Sequence, residues 1–202
     1  MPLAGRPLYR YSVDAAQFAG AQQIILSTDI PEVLAAHHPQ GVDVLQRPQD
    51  LCGGSVPMAP VLLHAVLTAG ISGAVVLLQP TSPLRSPGDI IAALSVLITG
   101  DYEMVMSVTQ ADRGVLKWGM LVGQRFIPMS NPDYCFANRQ DLPSVYKPNG
   151  AVFAMQAEWF VITKSFSSEL IGTHVMPAER SVDIDSLADF QRCASLLASP
   201  PS

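Results

Sequence analysis

Short apolar runs alternate with amphipathic segments along most of this chain. The run from Ala74 to Leu78 contains five small or branched apolar residues between Gly73 and Pro80. It is too short for a buried helix and is typical of a strand covered on both faces. Similar runs predict further strands at residues 23–27, 42–45, 104–108, 150–155 and 173–176. Start and stop signals predict helices at residues 8–19, 31–37, 57–69, 86–100, 158–163 and 186–198.

The alternation of strands and helices with short connections predicts an α/β fold with a doubly wound, mostly parallel sheet. We expect a single domain over residues 1–202. The alternation breaks between residues 111 and 148, where Lys117-Trp-Gly119 and Asn131-Pro-Asp133 indicate a hairpin and loops. This part of the chain is predicted to be a small excursion from the sheet. A helix comes first in the chain, so we expect the first strand of such a sheet to be absent.

Composition excludes several classes of protein. Hydrophobic residues make up 49% of the 202 residues and charged residues 14%, which is typical of a globular domain with a full core. The net charge of -5 argues against a nucleic-acid partner, because no basic face is available for phosphates. No apolar run reaches membrane-spanning length, so no membrane partner is expected. Three widely spaced cysteines without a CxxC pattern fit free thiols in the cytoplasm.

Polar residues follow the apolar run at 74–78. Gln79, Thr81, Ser82 and Arg85 stand among prolines where the predicted strand ends. Ligands of open α/β sheets bind beyond the carboxyl ends of the strands, so this loop is a candidate site. A polar turn with no binding role explains this stretch equally well. No GxGxxG or Walker A pattern accompanies it anywhere in the chain.

The segment Ser181-Val-Asp-Ile-Asp185 is the sharpest local signal in the sequence. Asp183 and Asp185 lie two residues apart, so an extended backbone would turn both carboxylates to one face. Such a pair suits a hard cation such as Mg²⁺ that is shared with substrate phosphates. In the alternative, Asp185 or Ser186 caps the last helix and Asp183 is only solvated. Spacing alone favours the alternative.

Isolated polar residues elsewhere are weaker candidates. Arg139 has the planar fork that holds a carboxylate or phosphate with two hydrogen bonds. Asn149 stands in an Asn-Gly pair that could be a simple turn, and Arg47 follows a predicted strand. For each of these residues taken singly, a structural role is the simpler interpretation.

Six motifs together resemble those of the acylneuraminate cytidylyltransferases, in the same order and at similar spacing over essentially the whole chain. They are Ser27-Thr-Asp29, Arg47-Pro48, Leu78-Gln-Pro-Thr-Ser-Pro-Leu-Arg85, Arg139-Gln-Asp-Leu-Pro143, Pro148-Asn-Gly-Ala151 and Ser181-Val-Asp-Ile-Asp185. That family makes CMP-sialic acid and related CMP-nonulosonates. The motifs at residues 78–85 and 139–143 fit this branch better than the related eight-carbon (Kdo) branch.

The resemblance implies transfer of CMP from CTP to the anomeric hydroxyl of an acidic nine-carbon sugar, with release of pyrophosphate. It implies a sheet of the nucleotide-diphospho-sugar transferase type and a homodimer formed through residues 111–148. It also assigns site residues, namely Asp183 and Asp185 as catalytic Mg²⁺ ligands, Arg47 and Asn149 to the nucleotide, and Gln79, Lys117 and Arg139 to the sugar. Arg85 is expected to hold the loop in place and not to touch substrate.

Departures from the family pattern shape these expectations. Members begin with a strand and a loop of the type Pro-Ala-Arg-Gly-Gly-Ser-Lys-Gly, and Met1 to Leu8 align just after it. We therefore expect impaired turnover in the chain as given. The alternative is a catalytically inactive, sugar- or nucleotide-binding remnant of the family. Gly53-Gly54 and Asp112-Arg-Gly114 also depart from the family's usual residues.

Overall fold

A computed structural model describes residues 2–198 of the chain, and Met1 and residues 199–202 of the predicted domain lie outside the described residues. The strands are β1 (Pro2–Leu3), β2 (Arg6–Pro7), β3 (Ile24–Thr28), β4 (Val42–Gln46), β5 (Ala74–Leu77), β6 (Met104–Ala111), β7 (Gly119–Val122), β8 (Arg125–Pro128), β9 (Val145–Gln156) and β10 (Ile171–Val175). The α-helices are α1 (Leu8–Phe18), α2 (Pro31–Leu34), α3 (Met58–Ala69), α4 (Pro87–Thr99), α5 (Ala157–Thr163) and α6 (Leu187–Ala198). Each element predicted from the sequence is present.

A four-stranded sheet in the order β10-β6-β9-β5 forms the centre of the molecule. β10 is parallel to β6, whereas β9 is antiparallel to both of its neighbours, so β5, β6 and β10 share one direction. The predicted α/β fold with a mostly parallel sheet is confirmed. The direction of β9 follows from the excursion, which returns the chain to the sheet through a hairpin and turns and not through a crossover helix.

β9 begins at Val145, five residues before the strand predicted at 150–155. Its early part, Tyr146 to Pro148, lacks an apolar pattern and pairs with the second half of β6. The register shifts between Met106 and Val108, and Pro148 lies opposite Val108. Proline has no N–H to donate and is tolerated in a sheet at such irregularities. Because residues 146–148 lack an apolar pattern, the sequence did not predict the true start of β9.

The sheet is covered by helices on both faces, as the apolar runs predict. Ala154 of β9 packs in one cluster with Ala93 of α4, and the next residue, Met155, packs in another with Val66 of α3 and Phe160 of α5. Successive strand residues point to opposite faces, so these two clusters lie on opposite sides of the sheet. The two-sided burial of the strands explains their continuous apolar sequences.

Besides the hairpin β7–β8, two small sheets lie apart from the central one. β3 and β4 form a parallel pair, and among the described residues the central sheet ends at β5. β1 and β2 form a short antiparallel hairpin directly before α1. Within the described chain, the strands ahead of α1 are therefore β1 and β2, which pair with each other and not with the central sheet.

The excursion contains the hairpin β7–β8 and three 3-10 turns, at Arg113–Lys117, Pro132–Cys135 and Arg139–Asp141. Gly123 has a φ of +61°, which suits the first position of the two-residue turn between the strands. Large apolar side chains are exposed here, namely Trp118, Met120, Leu121, Val122, Phe126, Met129 and Phe136. None of the helices in residues 2–198 has both the length and the apolar character needed to cross a membrane.

Phe160 gives a test of the core between the sheet and α5. Its side chain is fully buried and its ring lies 5.2 Å from that of Phe166. Phe160→Ala is expected to lower the free energy of unfolding by about 3–5 kcal/mol, because it leaves a cavity that the neighbours only partly fill. Urea denaturation followed by circular dichroism measures this change. The matched variant is Phe18→Ala, at a position 79% exposed, with an expected change within about 0.5 kcal/mol. Equal effects of the two variants would contradict this description of the core.

Candidate functional site

The loop after β5 is fixed by the buried side chain of Arg85. Its Nε donates to the Ala151 carbonyl at 2.7 Å, its Nη1 donates to Ser12 Oγ at 2.6 Å, and its Nη2 donates to the Gln79 carbonyl. Burial lowers the pKa of Arg85 to about 10, while nearby Asp183 and Asp89 act in the opposite direction, so the group is charged at neutral pH. These contacts agree with the expectation that Arg85 holds the loop.

The same loop is joined to the segment that precedes α6. The Thr81 carbonyl accepts a hydrogen bond from the Ile184 N–H at 2.8 Å. Ser82 is fully buried, and its Oγ lies 3.4 Å from both the Asn149 carbonyl and Asp183 Oδ1. The candidate loop therefore supports the predicted metal ligands directly.

The predicted alternation in Ser181–Asp185 is present in the structure. Val182 is buried and packs with Leu3 and Cys193, and Ile184 packs against the same cluster. Asp183 and Asp185 face the other way and both line a cavity of about 470 Å³. The apolar residues thus fix the direction of the two carboxylates.

As the helix-capping alternative predicts for Ser186, this residue caps α6, and it does so together with Asp189. Asp189 Oδ2 accepts hydrogen bonds from Ser186 Oγ at 2.6 Å and Ser186 N at 3.0 Å, and Asp189 N donates back to Ser186 Oγ at 3.3 Å. This reciprocal arrangement is a capping box. The side chain of Asp185 has no hydrogen bond within the described residues, so it is available to the cavity.

Asn149 is buried at the wall of the cavity. Its Nδ2 donates to Ser181 Oγ at 2.9 Å and lies 3.3 Å from Met176 Sδ. Its Oδ1 accepts from Ser107 Oγ at 2.5 Å and from the Ala151 N–H at 3.2 Å. The amide is engaged with protein partners on both ends, so Asn149 supports the wall, and nucleotide binding by this residue stays a prediction.

Gly150 lies between Gln79, which is predicted to bind the sugar, and Asp183, which is predicted to bind the metal ion. Its φ is +73°, and a Cβ placed there would lie 3.1 Å from Gln79 Oε1, 3.3 Å from Asp183 Oδ2 and 3.4 Å from Ser82 Oγ. A side chain at this position would be strained and would fill the space between these groups. The Asn-Gly pair is therefore more than the turn that the sequence indicated.

Three other predicted residues lie away from this cavity. Arg47 donates to Ser27 Oγ at 3.0 Å and to the Ser27 carbonyl at 2.8 Å, which joins the ends of β3 and β4. Lys117 donates to the Ala137 carbonyl at 2.5 Å within the excursion. Arg139 is exposed and forms an ion pair with Asp112 at 2.8 Å. None of the three lines the 470 Å³ cavity, so their substrate contacts stay predictions.

Two cationic side chains that were not predicted from the sequence also line the cavity. They are Lys147 of β9 and Arg192 of α6. Both are exposed and neither has an ion-pair partner within the described residues. Arg192 lies one helical turn after Asp189, and this i, i+3 spacing is the signal that could have indicated it. Hydrogen bonds from Ser186 hold the pKa of Asp189 below its ordinary value, and Arg192 adds to this shift.

The buried carboxylate of Asp89 joins α4, β10 and the turn at Ala178–Arg180. It accepts hydrogen bonds from Ser86 N at 2.8 Å and Ser86 Oγ at 2.7 Å, which cap α4. It also accepts from His174 Nε2 at 3.0 Å and from Arg180 Nε and Nη2 at 3.1 and 3.0 Å. Burial raises the pKa of Asp89, but the bonds from Arg180, His174 and Ser86 outweigh it and hold the pKa far below its usual range.

Within residues 2–198 no group of three or more His, Cys, Asp or Glu side chains is placed to hold a metal ion. The cavity offers instead the pair Asp183 and Asp185. Such a pair fits a hard cation that takes its remaining oxygen ligands from water and from substrate phosphates, as Mg²⁺ commonly does.

Comparison with known proteins adds to this geometry. Residues 1–116 match the family model described as Cytidylyltransferase. An N-acylneuraminate cytidylyltransferase of Escherichia coli O18:K1:H7 is 30% identical over 94% of this chain and 45% of its own length. A CMP-N,N'-diacetyllegionaminic acid synthase of Legionella pneumophila is 27% identical over 96% of this chain and 87% of its own. The chain thus spans a little under half the length of the first relative.

The fold is shared with a solved CMP:2-keto-3-deoxy-manno-octonic acid synthetase complexed with CTP. The TM-score is 0.72 over 98% of this chain and 90% of the other, at 15% sequence identity. At that identity the likeness shows the fold alone. It supports the predicted sheet of the nucleotide-diphospho-sugar transferase type.

The buried Asp89 carboxylate predicts a pH dependence of stability. Its pKa in the folded protein lies below the ordinary value of about 3.9, so its stabilisation is present above about pH 5 and is lost as the pH falls through 4 and below. Asp89→Asn is expected to lower the free energy of unfolding at pH 7 by about 2–4 kcal/mol and to flatten the acid limb between pH 5 and 3. Urea denaturation across this pH range measures both effects.

Asp101→Asn is the matched control, because Asp101 is exposed and forms no ion pair in the described part of the chain. Its curve is expected to follow that of the parent protein. An unchanged acid limb in Asp89→Asn would show that the Asp89 bonds do not stabilise the fold.

Proposed function

This chain belongs to the cytidylyltransferase family, and we propose that it transfers CMP from CTP to the anomeric hydroxyl of a sialic-type nonulosonic acid. The observation that carries the proposal is the pair Asp183 and Asp185 on one wall of the cavity, with Gln79 beside them across Gly150. The names of the relatives, which specify N-acylneuraminate and N,N'-diacetyllegionaminic acid, support an acidic sugar as the acceptor.

The proposed reaction is a single displacement at phosphorus. The sugar hydroxyl oxygen forms a bond to the α-phosphorus of CTP, and the bond from that phosphorus to the bridging oxygen breaks. Pyrophosphate leaves with the bonding electrons, and the hydroxyl proton is released. Such a transfer requires mainly that the reactants are positioned and that developing charge is neutralised.

We propose that Asp183 and Asp185 hold Mg²⁺ in this reaction. Asp185 has no hydrogen bond within the described residues, and Asp183 has only the 3.4 Å contact from Ser82, so both carboxylates retain oxygen lone pairs for a cation. When bound, Mg²⁺ would supply charge neutralisation at the triphosphate and would favour ionisation of the attacking hydroxyl.

The sugar carboxylate is proposed to contact Gln79, Lys117 and Arg139. The Arg139 ion pair with Asp112 is exposed on both sides, and such pairs contribute little, so Arg139 can exchange Asp112 for a substrate carboxylate. We assign Arg47 and Asn149 to the nucleotide side. Arg47 is held by Ser27 at the carboxyl ends of β3 and β4, where ligands of α/β sheets bind.

A homodimer formed through the excursion is part of the proposal. The hairpin β7–β8 exposes Leu121 at 73% and Val122 at 62%, next to Trp118 at 63%. Contiguous exposed apolar side chains of this kind mark association surfaces. We further propose a cytoplasmic location, since Cys52, Cys135 and Cys193 are all free thiols.

A second candidate function is binding of a sugar or nucleotide without turnover. The cavity has three carboxylates, Asp183, Asp185 and Asp189, against the two cations Lys147 and Arg192. Two cations are few for a triphosphate, and no glycine-rich phosphate loop occurs in the sequence.

Pyrophosphate release tests the proposed reaction. The protein is assayed with CTP, Mg²⁺ and either N-acetylneuraminate, a legionaminate or the eight-carbon acid Kdo. Slow turnover with a nine-carbon acid is expected, in keeping with the impaired activity predicted from the sequence, and Asp185→Ala is expected to reduce it by at least about 100-fold further while the fold is retained. Asp101→Ala, which removes an exposed carboxylate outside the cavity, is the matched control.

Full activity of Asp185→Ala would contradict the metal assignment. Turnover with Kdo alone would contradict the assigned substrate class. Saturable binding of CTP or sugar by calorimetry, without pyrophosphate release, would identify the second candidate function.

Sedimentation velocity tests the proposed dimer. Leu121→Asp is expected to shift the protein from dimer to monomer, because a carboxylate at the centre of the hairpin surface would be buried without a partner. The matched control is Ile98→Asp, since Ile98 on α4 is similarly exposed at 71%. A parent protein that sediments as a monomer at all concentrations would contradict the proposal.

A further inference from the structure

Arg180 lies directly before the segment that carries the two cavity carboxylates. It ends the 3-10 turn Ala178–Arg180, and Ser181–Asp185 follows without a break. Its guanidinium does not line the cavity, although its neighbours Ala178 and Ser181 do. The side chain points instead to Asp89, which is 2% exposed, and donates one hydrogen bond to each carboxylate oxygen, at 3.1 and 3.0 Å.

The position of Asp89 is itself fixed by hydrogen bonds from residues other than Arg180. The capping bonds from Ser86 hold it to the first turn of α4, and His174 of β10 lies 3.0 Å from its other oxygen. α4 packs against the sheet through Ala93 and Leu97. Arg180 is thus anchored to the rigid core of the domain by way of one buried carboxylate.

Three anchors consequently fix the five-residue segment that follows. Arg180 holds its start, the Asn149 amide holds Ser181 Oγ at 2.9 Å, and the Thr81 carbonyl holds the Ile184 N–H at 2.8 Å. Asp183 lies between the anchors at Ser181 and Ile184, and Asp185 directly follows Ile184. Removing the first anchor leaves Ser181 with neutral hydrogen bonds only, to Asn149 and, within the preceding turn, to the Pro177 and Ala178 carbonyls.

The ion pair between Arg180 and Asp89 is better suited to orienting the segment that follows than to stabilising the fold. A partly buried ion pair is often no more stabilising than an apolar pair of similar size. What a guanidinium and a carboxylate add is a planar, two-point geometry that fixes orientation. That orientation determines whether two carboxylates can hold one cation together, because small displacements of ligands weaken metal sites.

We propose that Arg180 is a positioning residue for cation binding, which acts through Asp89 to hold Asp183 and Asp185 in the arrangement that a divalent cation requires. The proposal rests on the metal assignment of the proposed function. It assigns Arg180 no contact with substrate or with the cation.

Mn²⁺ binding measured by electron paramagnetic resonance tests this role without any turnover. The protein is titrated with Mn²⁺ alone, well below its melting temperature, and the variants are checked by circular dichroism. Arg180→Met is expected to raise the Mn²⁺ dissociation constant about tenfold, and Arg180→Lys about threefold, because lysine keeps the charge but not the two-point geometry. The partial rescue by lysine is a result that a mere loss of fold would not give.

Arg113→Met is the matched control. Arg113 also braces backbone, at the Leu142 carbonyl 3.0 Å away, but in the excursion outside the cavity. Its Mn²⁺ affinity is expected to equal that of the parent protein. An equal loss in Arg113→Met would overturn the proposal, since the effect would then be general.

Unchanged Mn²⁺ affinity in a folded Arg180→Met overturns the proposal while the metal assignment stands, provided that Asp185→Ala weakens binding. If the parent protein binds no Mn²⁺, or if Asp185→Ala binds it equally well, the metal assignment fails and this proposal fails with it. If Arg180→Met does not fold, Arg180→Lys decides, and unchanged affinity in that variant overturns the proposal.

Discussion

The geometry of the cavity depends first on the buried guanidinium of Arg85. A charged group with only 4% of its surface exposed is unfavourable unless its donors have partners. Its partners are the Ala151 and Gln79 carbonyls and Ser12 Oγ, so one side chain joins β9, the loop after β5 and α1. The nearby carboxylates of Asp183 and Asp89 favour its charged form and offset part of the cost of burial. The loop, the strand and the helix are consequently held in one arrangement.

The residues around the cavity divide into two groups with different tasks. Asn149 and Asp89 are buried, and their polar atoms are engaged by protein partners. Asp185, Lys147 and Arg192 line the open space and have no ion-pair or side-chain hydrogen-bond partner within the described residues. The buried residues thus hold the exposed ones in place. Binding and catalysis require such an arrangement, because few side chains then lose conformational freedom when a ligand binds.

How far the sequence predicts this structure depends on whether the signal is local. The alternation that places Asp183 and Asp185 on one face is a property of five consecutive residues, and it is present as predicted. The burial of Asn149 depends on Ser107 and Met176, which come from distant parts of the chain, so its neighbours could not be inferred. Likewise the direction of β9 depends on how residues 111–148 return to the sheet. The i, i+3 spacing puts Arg192 beside Asp189, but only the packing of α6 turns both side chains to the cavity.

The alternation in Ser181–Asp185 also limits which changes of chain length the molecule can accept. Because successive residues face opposite sides, one inserted residue would turn a carboxylate toward Leu3 and Cys193 and an apolar side chain toward the cavity. The hydrogen bonds at Ser181 and Ile184 on either side prevent the segment from absorbing the extra residue by sliding. Insertions and deletions between related proteins should therefore collect elsewhere, as in the exposed turn after β7, while the length of this segment stays constant.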